Sequence, residues 1–265
     1  MTSGGDLAGH ADARTAELAG NLAGLRDRIA AACAAAGRAA GEVSLIAVTK
    51  TFPAADVRRL AALGVTDVGE NRDQEARPKA AELADLTGLR WHFVGRLQRN
   101  KVGHVVRYAD VVHSVDRPEL VSALAEAAAR ARSRPLDVLV QVNLDPDAGT
   151  HRAAGPDLAG HRAAGPDPAG RGGADPRAVP ALADQVAAAG SLRLAGLMAV
   201  APLGADPAPA FARLREVAAR LRAEHPDAVM LSAGMSADLE TAIRYGATHL
   251  RVGTALLGGR TPPVG

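Results

Sequence analysis

The sequence predicts an α/β fold, a single (β/α)8 barrel of the TIM type carrying an extra N-terminal helix. Three observations lead there: strand-length apolar runs alternate strictly with helical patterns, eight such units fit into about 220 residues, and several runs are apolar on both faces. A run apolar on both faces suits a parallel sheet covered on each side. Closure is favoured over an open doubly wound sheet, the alternative architecture, because no G-x-G-x-x-G follows the first run.

A long helix around 14–38 opens the pattern. Strands follow at 43–49 (VSLIAVT), 67–69, 90–94 (RWHFV), 110–113 (DVVH), 136–142 (LDVLVQV), 193–198, 229–231 and 248–252. Helical patterns separate them at 54–63, 71–86, 98–107, 116–133, 175–189, 206–224 and 236–245. Two stretches have low-complexity composition instead: residues 1–13, expected to be a disordered N-terminus, and 145–175, where HRAAGPDLAG is followed at once by HRAAGPDPAG. This duplicated segment at 151–170 offers little apolar side chain to bury, so it reads as a loop insert after strand five and not as a second domain. The domain boundaries are therefore 14–260 for the barrel, with 261–265 as a tail.

Composition narrows the function. A formal charge of +2 spread over 265 residues, with aromatic residues at 2%, provides neither an electrostatic footprint nor a stacking platform for nucleic acid. No apolar run is long enough for a membrane span, and the N-terminus lacks the basic and apolar regions of a secretion signal. The single cysteine, Cys33, cannot form an internal disulfide, and the cytoplasm is the expected compartment. Only Lys50, Lys79 and Lys101 among the 31 basic residues are lysines, so each raises a chemical question beside the reading of solvated charge.

In a (β/α)8 barrel, functional groups gather where strands end. Those positions hold Lys50, Asn71, His92, Gly95, His113, Ser114, Asn143, Met198, Ser232, Ser236, Arg251, Gly253 and Thr254. Lys50 ends the apolar run LIAVT. A partly desolvated amine there has a lowered pKa and nucleophilic character, although position alone fits a rim lysine snorkelling to water equally well. Ser236, read as opening the helix at 236, and Gly253 with Thr254 just past strand eight favour the first reading. Each is ordinary by itself, as an N-cap or a turn, but together they occupy the customary phosphate position of this fold. An amine facing a phosphate cradle calls for a phosphorylated aldehyde, which fits pyridoxal 5'-phosphate (PLP) or the substrate of a Schiff-base aldolase.

His92 and His113 lack a third ligand at sensible spacing and read as core or rim histidines, so no metal is expected. Gln98, Arg99, Asn100 and Lys101 open a helix toward the mouth, as a partner contact or a solvated helix start. Glu70 and Glu75 show no paired-carboxylate spacing and read as surface or supporting residues.

The stretches AVTK (47–50), GENRDQE (69–75), WHFVGRLQRNK (91–101), HSVD (113–116), QVN (141–143), GLMAV (196–200), LSAGMSADLETAI (231–243) and RVGTALLG (251–258) together resemble the pyridoxal phosphate homeostasis protein family, relatives of the alanine racemase N-terminal barrel. The resemblance covers about 20–259. It implies PLP as cofactor, Lys50 as the Schiff-base lysine, and Ser236, Gly253 and Thr254 as phosphate ligands. It further implies Arg251 beside the pyridine nitrogen, and Asn71, Met198 and Ser232 lining the ring. The chain departs from the family pattern at Arg72, usually aromatic, at Ala233, usually methionine, and in the duplicated insert.

Two functional classes follow. A carrier would buffer PLP and deliver it to apo-enzymes; an amino-acid racemase would need a base on each face of the substrate, of which Lys50 is only one. The sequence runs only about a dozen residues past strand eight, with no second domain of the kind that supplies the opposing base in related racemases, so the expectation is PLP homeostasis without turnover. The expected partners are PLP and apo-enzymes, with no nucleic acid or membrane, and the expected state is a monomer.

Overall fold

The computed structural model describes residues 4–145, 172–202 and 204–259, with side chains from Ala13 onward. Eight parallel strands, β1 (Ser44–Val48), β2 (Asp67–Glu70), β3 (Arg90–Phe93), β4 (Val111–Val115), β5 (Leu136–Gln141), β6 (Leu192–Met198), β7 (Met230–Ser232) and β8 (His249–Val252), pair in sequence order, and β8 closes onto β1. All eight predicted strands are present, with ends within two residues of the expected ones. Alternation of faces explains their legibility: Ala47, Val112, Val138 and Leu197 belong to the main core between strands and helices, while Val111, Leu139 and Met198 form a second apolar cluster with Ala195.

The helices are α1 (Gly4–Ala35), α2 (Ala54–Ala62), α3 (Asp73–Glu82), α4 (Val102–Tyr108), α5 (Pro118–Ala131), α6 (Val179–Ala188), α7 (Ala208–Glu224), α8 (Leu239–Arg244) and α9 (Thr254–Leu257). α1 begins at Gly4 instead of 14, the alanines and Leu7 before that point sustaining helical preference. It stops at Ala35 because Gly37 turns left-handed (φ 67°) and the Arg38 N–H returns to the Cys33 carbonyl at 2.9 Å. The stripe Leu18, Leu22, Leu25, Ile29 and Cys33 buries one face of α1 against its neighbours α8, α9 and α2. Asn21 donates to the carbonyl of Leu256, and Arg38 to those of Ile243 and Ala247, at and just beyond the C-terminal ends of α9 and α8.

The duplicated insert at 151–170 and the 261–265 tail lie outside the described residues. Among the described residues no helix is long and apolar enough to cross a membrane.

Candidate functional site

Lys50 follows β1 by two residues and shares the parity of Ile46 and Val48, which stay out of the strand–helix core that Ala47 joins. It is half-buried at the C-terminal end of the barrel. Both of its chain neighbours are held by the β2–α3 segment. The Thr49 hydroxyl donates to Glu70 Oε1 at 2.7 Å, and Lys79 Nζ donates to Glu70 Oε1 at 2.6 Å and to the Thr49 carbonyl at 2.9 Å. On the other side Thr51 has φ 69°, a left-handed conformation uncommon for a β-branched residue, and its N–H donates to Glu75 Oε2 at 3.1 Å. Glu70 is therefore the supporting residue of the two readings and no surface carboxylate: it is wholly buried, and the Lys79 side chain that pairs with it is buried too. Sequence spacing conceals this pair, since a buried carboxylate and a solvated one look alike until the lysine nine residues later is seen to point inward.

Asn71 follows Glu70 and is half-buried. A β-carbon on Gly95 would fall 2.0 Å from the Asn71 carbonyl oxygen and 2.5 Å from its Oδ1, so only glycine lets the loops after β2 and β3 pack together. Arg72 is exposed, its closest ion-pair contact a long one of 3.4 Å to Glu75. Ala233 lies in the strand–helix core.

Across the barrel, Arg251 is buried and donates to Ser232 Oγ at 2.6 Å and to the Ala199 carbonyl at 2.8 Å. Burial lowers its pKa to about 10, which leaves the guanidinium charged at neutral pH beside two neutral acceptors. Met198 is buried, and Met198 and Ser232 are direct partners across β6 and β7.

Ser236 does not open α8. Asp238 occupies the N-cap position, its Oδ1 accepting the Met235 N–H at 2.6 Å, and α8 begins at Leu239. Ser236 Oγ instead accepts the Ala255 N–H at 3.2 Å and so joins the β7–α8 loop to the first turn of α9, where Gly253 is the N-cap and Thr254 the exposed first residue. Gly234 shapes this loop: its φ is 90°, and an added β-carbon would meet Ala242 Cβ at 2.6 Å. Ser236, Gly253 and Thr254 are thus brought to one rim, through a contact between loops and not through the expected helix cap.

His92 and His113 are fully buried, His92 Nδ1 lying 2.9 Å from His113 Nε2. The 98–101 run forms a short 3-10 turn, Arg99–Lys101, leading into α4, with Gln98 at its N-cap position. A cleft of about 480 Å³ at the opposite end of the barrel is walled by Arg90, Arg132, Arg134 and Arg193 against Asp110 and Asp137, and it gathers none of the strand C-termini.

The closed barrel, with its lysine after β1 and its arginine on β8, defines the class of protein: residues 21–155 and 164–261 match the family described as "Alanine racemase, N-terminal domain". Within that class, the pyridoxal phosphate homeostasis protein of Mycobacterium tuberculosis (strain H37Rv) is 45% identical over 269 residues, covering 96% of this chain and 97% of that protein. The homeostasis protein of Pseudomonas aeruginosa is 43% identical over 246 residues, covering 92% and 96%. A solved structure of PipY from Synechococcus elongatus PCC7942, with PLP bound, superposes with a TM-score of 0.73 at 35% identity, covering 91% of this chain and all of the other. The chain belongs to the pyridoxal phosphate homeostasis protein family.

Proposed function

We propose that this protein holds PLP at the C-terminal mouth of the barrel and serves intracellular PLP homeostasis by buffering the cofactor or delivering it to apo-enzymes. The observation that carries this reading is the gathering of a half-buried amine, Lys50, a buried guanidinium, Arg251, and a two-loop rim at Ser236, Gly253 and Thr254, in a fold whose relative PipY has PLP bound.

PLP supplies an aldehyde that condenses with an amine, and a phosphate that needs hydrogen-bond donors. The residues present suit both. Lys50 would carry the cofactor as a Schiff base, with its chain position fixed on both sides by Glu70, Lys79 and Glu75. Ser236 and Thr254 would donate hydroxyls, and the backbone of Gly253 and Thr254 amides, to the phosphate. Arg251, charged and held by Ser232, would face the ring nitrogen; a cation there opposes protonation of that nitrogen and so restrains carbanion chemistry. Asn71, Met198 and Ser232 would line the ring.

One barrel domain over 14–260 would act in this way in the cytoplasm, as a monomer. Addition of PLP to the purified protein should produce a visible absorption band, and borohydride should convert the complex to a stable adduct that peptide mapping places on Lys50. A protein that takes up no PLP, or an adduct on Lys79 or Lys101, would overturn the assignment.

A further inference from the structure

A continuous line of polar contacts crosses the barrel from the N-terminal end of β2 to the C-terminal ends of β7 and β8. Asp67 Oδ1 lies 2.8 Å from His92 Nε2, His92 Nδ1 lies 2.9 Å from His113 Nε2, and His113 Nδ1 lies 3.1 Å from Ser232 Oγ, which receives Arg251 at 2.6 Å. We infer that Asp67, His92, His113 and Ser232 are positioning residues, a one-way hydrogen-bond relay that holds the Arg251 guanidinium in the site through Ser232.

The direction follows from the two ends. Arginine has only donors and an ionised aspartate only acceptors. Ser232 accepts from Arg251, so its own proton points on to His113 Nδ1. His113 then carries its proton on Nε2 and donates to His92 Nδ1, and His92 carries its proton on Nε2 and donates to Asp67. Run the other way, His92 would present an unprotonated Nε2 to a carboxylate, and Ser232 would need another acceptor. The chain thus sets the tautomer of both histidines, with both nitrogens of each ring occupied.

The electrostatics agree. Burial above all, helped by the Arg251 and Arg90 cations, pushes the His113 pKa well below its usual value, so the ring stays neutral. Burial raises the Asp67 carboxyl, but hydrogen bonds from His92 and Thr66 outweigh it and leave the pKa lowered. The charged and titratable groups acting on this pair include Asp67, Arg90, His249 and Arg251. A carboxylate at one end and a guanidinium at the other polarise every bond between them in the same sense.

That Arg251 meets the cofactor rests on the proposed function; the relay itself does not. Nitrogen-15 NMR of the protein without cofactor, at neutral pH, should find His92 and His113 both neutral and protonated at Nε2. A proton on His113 Nδ1, or a cationic His113, would overturn the relay even if PLP binds as proposed. In the PLP-loaded protein, Asp67→Asn lets the terminal group donate as well as accept. It should move the pH profile of the bound cofactor's absorbance at the far end of the barrel. Asp56→Asn, which removes a buried carboxylate of α2 outside the chain, should leave that profile in place. An unmoved profile in Asp67→Asn would likewise overturn the inference. If the wild-type protein takes up no PLP, the site assignment fails while the tautomers still decide the relay.

Discussion

The Lys79 ammonium lies 2.6 Å from Glu70 Oε1 and 2.9 Å from the Thr49 carbonyl, so the residue preceding Lys50 is tied to a buried ion pair. Removing one charge of such a pair leaves the other stranded in the interior. Lys79→Met should therefore destabilise the protein by about 3–5 kcal/mol in denaturant unfolding. Replacing both members, with Glu70→Gln in the same chain, should recover a large part of that loss. A single mutant as stable as the wild type would show the pair to be solvated.

Strain on the other side of Lys50 gives a second test. Thr51 holds a left-handed backbone with φ 69°, and glycine adopts that conformation at little cost. Thr51→Gly should leave stability unchanged or raise it by up to about 1 kcal/mol, measured as a shift in the denaturation midpoint, whereas Thr51→Val should not relieve the strain. A loss of stability in Thr51→Gly above that range would show that the Thr51 side chain matters more than its backbone.

The phosphate rim makes a third prediction. Ser236→Ala removes a hydroxyl and also the acceptor of the Ala255 N–H. It should weaken PLP affinity by about 1.5–3 kcal/mol in equilibrium titration, the usual worth of a hydrogen bond to a charged group. Thr254→Ala should lose a similar amount, and the double mutant should retain some binding through backbone donors. Unchanged affinity in both single mutants would place the phosphate elsewhere.

Much of the fold is legible in the sequence. The strands stand out because residues such as Ile46, Val111 and Leu139 are apolar toward the barrel interior, while Ala47, Val112 and Val138 are apolar toward the helices. Lys50 is visible because a lysine ending an apolar run in a chain of three lysines is conspicuous. What escapes depends on contacts between distant residues. Ser236 reads as a helix cap because its bond to Ala255, 19 positions away, has no local signature. Glu70 reads as either a surface or a supporting residue because its partner, Lys79, sits on the following helix. The two histidines read as plain core residues because their line to Arg251 runs through Ser232, 119 positions beyond His113.

Acid should destabilise the protein in a definite window. Burial above all lowers the His249 pKa to about 4, and His113 is lowered as well. The unfolded chain takes up protons near pH 6.5, where the folded one does not, so the stabilising contribution is whole above 6.5 and declines as pH falls toward 4. A tenfold difference in proton affinity between the folded and unfolded chain corresponds to about 1.4 kcal/mol, so His249 accounts for a loss of about 3 kcal/mol over that range. Thermal melts between pH 7 and 4 should show the decline, and His249→Gln should flatten it. A Tm independent of pH across this range would contradict the burial of these rings.

The decisive test separates a carrier from an enzyme. Racemisation needs a base on each face of the substrate's α-carbon, and Lys50 can supply only one. His92 is bonded at one nitrogen to Asp67 and at the other to His113, and His113 is bonded in turn to Ser232. Arg251 keeps its proton at neutral pH, and the Glu70 carboxylate is held by Lys79 and Thr49. Among the described residues, these ionisable groups of the barrel interior are thus engaged with one another. The PLP-loaded protein should accordingly interconvert D- and L-alanine at a negligible rate, while mixing it with an apo-enzyme that requires PLP should restore that enzyme's activity. Interconversion of any amino acid at about 1 to 1000 per second, the common enzymatic range, would overturn the carrier reading. Absence of transfer alongside reversible PLP uptake would confine the role to buffering, since holding a pool of cofactor requires only that it bind and dissociate.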